Sequence, residues 1–83
     1  MDPHSAVLAL PRLLALVHTA RRDLAEQRGT ERPSPADVQA ARDVLLTTLE
    51  RYASALQDAG RPIPYRMRDE LHLGRDLGLR QYH

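Results

Sequence analysis

Apolar residues recur every three or four positions along two long stretches of this chain, and no segment alternates apolar with polar residues. That spacing is the signature of helices that bury one face, and it leaves little room for a sheet. The side-chain repertoire agrees. Large apolar residues are mostly Leu, accompanied by many Ala, with few β-branched residues and no Phe or Trp.

The first stretch contains SAVLALPRLLAL at residues 5–16. At about 100° per residue, Val7, Leu10, Leu14, Val17 and Leu24 fall on one stripe, joined by Leu13 and Ala20. Arg12, Arg22, Asp23 and Glu26 fall opposite. The stripe keeps its phase through Pro11, which predicts one helix over 3–28, kinked where Pro11 cannot donate to the Val7 carbonyl. The alternative is a helix that begins at Pro11 behind an extended arm. Asp2 and Pro3 suit the N-cap and first helical position, and Gly29 suits the stop. Leu8 and Leu16 point toward the polar side, either as ordinary exposed leucines or as a second contact surface.

The same stretch does not read as a targeting segment. A signal peptide wants a basic start, whereas this chain opens Met-Asp-Pro-His and Arg12 interrupts the apolar run. A membrane span needs about 20 apolar residues, and this run is shorter. The expectation is a cytoplasmic protein with no membrane contact.

GTERPSPAD follows as a linker ending in a helix start, with Ser34 as N-cap, Pro35 as first residue and Asp37 suited to the positive helix end. The second helix is expected over 35–59, closed by Gly60 and Pro62. Its core face is Val38, Ala41, Leu45, Leu49, Tyr52 and Leu56, widened by Val44 and Leu46. A stripe that wide asks for two or more neighbours. RPIPY cannot continue a helix, and Ile63 between its prolines is expected to pin the connection to the core. A short third helix is predicted over 64–73, with Met67 and Leu71 as its apolar face and Gly74 as its stop. The tail 74–83 reads equally as a last helical turn or an extended segment, with residues 75–83 expected to be the least protected part.

The fold expectation is therefore all-α, a single domain over 1–83. Two long helices form an antiparallel hairpin, a short C-terminal helix packs on it, and two copies dimerise into a helical bundle. Self-pairing is expected because so short a chain buries a limited core, and no Cys is present to supply disulfides or thiolate metal ligands. Leu46, on the flank of the second helix's seam, is where a second chain would dock.

Recognised chemistry is sparse. His4, His18, His72 and His83 never take the paired spacing of a zinc site, and Asp69 with His72 makes two ligands at most. Ser5, Ser34 and Ser54 lack a nucleophile context, and the glycines are too scattered to cradle phosphate. No catalytic, cofactor or metal residue is expected.

All twelve basic residues are Arg, nearly balanced by eleven acidic ones, for a formal net charge of +1. That balance argues against a dedicated nucleic-acid binder. Two groups of Arg remain of interest. Arg61, Arg66, Arg68, Arg75 and Arg80 make the C-terminal quarter locally basic with Tyr65 and Tyr82 interleaved; Arg66, Arg68 and Arg75 are its candidate anion-binding residues, interrupted by Asp69, Glu70 and Asp76. Arg21, Arg28 and Arg42 lie on or beside the apolar faces of the long helices. There they either cover the core with their stems or line a pocket of the kind small all-helical mutases use for dicarboxylates.

The functional expectation is a non-enzymatic accessory or regulatory protein acting through protein–protein contacts. Leu8, Leu16, Leu46, Leu77 and Leu79 are the candidate partner-binding residues. The alternatives are a nucleic-acid-binding regulator and a small helical enzyme with an Arg-lined pocket. The direction of the Arg heads discriminates: convergence on a concavity favours the enzyme, one basic stripe nucleic acid, and dispersal among carboxylates the interaction module.

Overall fold

A computed structural model describes the backbone of residues 2–81 and the side chains of residues 2–73. It is all-helical: α1 spans Pro3–Arg28, α2 spans Pro35–Asp58 and α3 spans Tyr65–Gln81.

The helix starts are local chemistry. The Ser5 N–H donates to Asp2 Oδ1 at 2.8 Å, which satisfies an orphan donor of the first turn. That hydrogen bond holds the Asp2 carboxyl below its usual pKa of 3.8, because it favours the charged form. Ser34 caps α2 in the same way, accepting from the Asp37 N–H at 3.4 Å. Pro3 and Pro35 sit in the first turns, where a missing N–H costs nothing.

Pro11 lies inside α1, and the helix continues across it. The buried residues Ala6, Leu10, Val17, Ala20 and Leu24 keep one phase on both sides. The extended-arm alternative is thereby set aside. α2 closes with a Schellman motif. The Arg61 N–H donates to the Leu56 carbonyl at 2.8 Å and the Gly60 N–H to that of Gln57 at 3.0 Å. This turn needs a left-handed residue, and Gly60 supplies it at φ 70°.

α3 differs from the expectation. It does not stop at Gly74 but continues through Gly74 and Gly78 to Gln81. A glycine inside a helix costs only about 1 kcal/mol relative to Ala, so on its own it weakens a helix without ending it.

Leu10 packs with Ala55 and Leu56 at one end of the hairpin, and Val17, two turns further along α1, packs with Leu49, two turns back along α2. α1 and α2 are therefore antiparallel. α3 turns back along α2, seating Met67 and Leu71 against Val17, Leu49 and Ala53. Tyr52 and Ile63 touch both core clusters, so Ile63 anchors the proline-flanked connection. The wide stripe of α2 thus finds its two neighbours, α1 and α3, within one chain. Leu8, at 67 % exposure, and Leu16, at 44 %, are left on the outside of α1. No pairing with a second copy is shown.

Candidate functional site

α1 and α3 flank α2 on the same side, and between them runs an open groove of about 360 Å³. Its floor is Leu45, Leu46 and Leu49 of α2. One wall is Arg21, Leu24, Ala25 and Arg28 of α1, and the other is Arg66, Glu70 and Leu73 of α3. Arg42 enters from α2. Periodicity explains the assembly. Arg21 and Arg28 are two turns apart on α1, as are Arg42 and Leu49 on α2 and Arg66 and Leu73 on α3, so each helix offers one aligned edge about 10 Å long.

One ion pair sets the groove's width. Arg21 Nη2 donates to Glu70 Oε1 at 2.5 Å and Arg21 Nε to Glu70 Oε2 at 3.2 Å. This two-point geometry is the strong form of a guanidinium–carboxylate contact. Both side chains are largely buried, at 19 % and 22 % exposure. Arg66 Nε lies 3.8 Å from the same Glu70 Oε1, one turn back along α3. Glu70 is therefore shared between two arginines. Arg28 and Arg42 have no ion pair or hydrogen bond among the described residues. The groove consequently combines a leucine floor with a rim on which Arg28 and Arg42 have no carboxylate partner among the described residues.

The opposite flank of the α1–α2 contact has the reverse charge. Asp23, Glu26 and Asp37 line a shallow concavity there with Val44, and no Arg joins them. The two concavities beside the α1–α2 contact thus differ in charge, one lined by four Arg with Glu70 and the other by three carboxylates.

The sequence candidates separate as follows. Arg21, Arg28 and Arg42 come together in the groove, with Leu46 on its floor. Arg66 joins them, but Arg68 does not. It lies 6.0 Å over the Tyr65 ring and, with Glu50 and His72, lines a different concavity. Leu8 and Leu16 are remote from the groove, on the outer surface of α1. Arg75, Leu77 and Leu79 belong to the last turns of α3, outside the residues whose side chains are described. His83 lies outside the described residues altogether.

The sequence reading passed over Glu70 as an interruption of a basic cluster and did not single out Leu73. The available signal was the helical spacing of Arg66, Glu70 and Leu73, which puts all three on one edge of α3 and Arg68 on another. Among the described residues, no three His, Asp or Glu side chains converge as metal ligands. No helix there is long and apolar enough to cross a membrane. No family model, curated protein or solved structure matches the chain.

Proposed function

We propose that this chain is a small non-enzymatic interaction module, an accessory or regulatory protein, and that the α1–α2–α3 groove receives a protein partner. The observation that carries the reading is the combination of an open leucine floor with Arg28 and Arg42 lacking described carboxylate partners. Exposed apolar surface framed by charge is how binding grooves present themselves.

Convergence of arginines on a concavity is also the feature expected of a small helical enzyme, and it favours that as a second reading. Three points support binding over catalysis. A guanidinium keeps its proton, so it serves neither as acid nor base. Glu70, the carboxylate on the groove wall, is held by Arg21 and Arg66. An open groove also does little to exclude water. The nucleic-acid alternative has less support, since Arg66 and Arg68 diverge instead of forming one stripe.

Affinity capture from the native host tests the reading. A partner should co-purify with the tagged chain and with Arg51→Glu, whose site lies outside the groove. It should be lost with the double variant Arg28→Glu/Arg42→Glu. Undiminished capture by the double variant contradicts the reading.

The proposal includes self-pairing as a separate contact; with Leu46, its expected site, on the groove floor, we place it at Leu8 and Leu16, exposed on the outer face of α1. Light scattering should give twice the 9.4 kDa chain mass. Leu8→Glu/Leu16→Glu should return it to one chain, since burying two unpaired carboxylates is costly. A fully helical monomer at high micromolar concentration contradicts this contact.

A further inference from the structure

Resting on the reading of the groove as a partner-binding face, we infer that its occupant is an acidic amphipathic helix of a partner protein, with leucine-like side chains on the floor and carboxylates against Arg28, Arg42 and Arg66. Three observations on the groove converge on this. Its floor offers the half-buried Leu45 and Leu46 over the buried Leu49, a surface suited to apolar side chains. Leu73, 63 % exposed at the rim, extends that apolar surface outward. Its length of about two helical turns matches side chains at i, i+4 and i+7 of a docked helix.

Charge decides the sign of the occupant. Arg28 and Arg42 flank the floor without described partners, and Arg66 is held only by a 3.8 Å contact to a carboxylate that Arg21 already engages. A carboxylate placed there gains a charge-assisted contact, whereas a cation meets Arg28 and Arg42 beside a Glu70 already engaged by Arg21. Shape argues against a second copy of this chain as occupant. The concavity lined by Asp23, Glu26 and Asp37 cannot fill the groove, because two concave faces do not interdigitate. The groove is also open along its length, which suits an elongated helix better than an enclosed small molecule.

The test is an NMR titration of the full-length, isotopically labelled chain at about 150 mM salt, where screening suppresses contacts that rely on long-range charge alone. The probe is a synthetic helix with Leu at i, i+4 and i+7 flanked by Glu. Two control peptides replace every Glu with Lys, or every Leu with Ser. The Glu/Leu peptide should shift the amides of Leu45, Leu46, Leu49 and Leu73 and saturate, while neither control does. Arg28→Glu/Arg42→Glu should weaken binding at least ~10-fold, more than the cost of one lost rim contact. The milder Arg28→Gln/Arg42→Gln pair should fall between, and circular dichroism should show both variants fully helical.

Equal binding of the Glu and Lys peptides overturns the acidic occupant while leaving an apolar groove. Equal binding without leucines overturns the amphipathic one. Groove shifts produced by succinate but not by the peptide overturn it in favour of a small dicarboxylate ligand. Groove shifts that depend only on protein concentration overturn it in favour of a second copy. No response of the groove to any probe overturns it as well. Failure of the broader reading is read separately, from capture of the native partner by the groove variant.

Discussion

Leu49→Ala is expected to destabilise the fold by about 2–5 kcal/mol, the cost of emptying a leucine-sized site that cannot fully collapse. Leu49 is 1 % exposed and packs in one cluster with Val17 of α1 and with Met67 and Leu71 of α3. It is thus the side chain on which all three helices meet. The walls of the cavity would belong to three different elements, and relaxing one pulls on the other two. For a domain of this size each kcal/mol corresponds to roughly 4–8 °C in Tm, so thermal unfolding followed by circular dichroism should show a fall of more than ~10 °C. Val44→Ala, at a 54 % exposed site, should stay within about 0.5 kcal/mol of the parent. A Leu49→Ala cost below ~1 kcal/mol would remove Leu49 from the centre of the core.

Glu70→Ala should loosen α3 while leaving the α1–α2 hairpin folded. Glu70 is the polar link from α3 to α1, and its two-point contact to Arg21 is mostly shielded from water. Exposed ion pairs are worth under ~1 kcal/mol, and hydrogen bonds to charged groups about 1.5–3 kcal/mol. With both partners about one-fifth exposed, a loss of about 1–2 kcal/mol is expected. Removing the carboxylate also leaves Arg21 and Arg66 facing each other across the groove without their shared counterion. Hydrogen exchange should report faster exchange in α3 and near-parental protection at Leu10, Leu49 and Leu56. Uniform loss of protection across all three helices would mean that α3 and the hairpin form one cooperative unit.

The parts of this architecture that depend on neighbouring residues were legible in the sequence. Asp2 before Pro3 and Ser34 before Pro35 cap their helices through bonds spanning three residues. Gly60 closes α2 through a motif of similar reach. The phase of Leu10, Val17 and Leu24 carried α1 through Pro11 because burial of one face outweighs one missing hydrogen bond. The end of α3 was not legible, since a lone glycine stops a helix or merely weakens it depending on backbone geometry that composition does not encode. The expected need for a second copy rested on the width of the α2 stripe. Within the chain, α3 covers much of what that argument left open, because Met67 and Leu71 reach Leu49 and Ala53.

The groove was legible in halves. Arg21, Arg28 and Arg42 stood out by their places beside the apolar stripes, and Arg66 by its position in a basic run. Joining them required the rotation of α3 about its axis, which Met67 and Leu71 set by burial. Arg21 and Glu70 are 49 positions apart, and no local pattern ties them. Arg68, two residues from Arg66, turns to another surface for the same reason.

Site-specific photo-crosslinking in the native host tests the central claim, that the basic leucine-floored groove is the partner-binding face. A photoreactive side chain at Leu73, on the exposed rim, should give a discrete adduct with a protein other than this one. The adduct should vanish when Arg28→Glu/Arg42→Glu is added, and the same probe at Asp58, which lines a different surface, should give none. Equal adducts from Leu73 and Asp58, or a Leu73 adduct indifferent to the charge reversal, would contradict it.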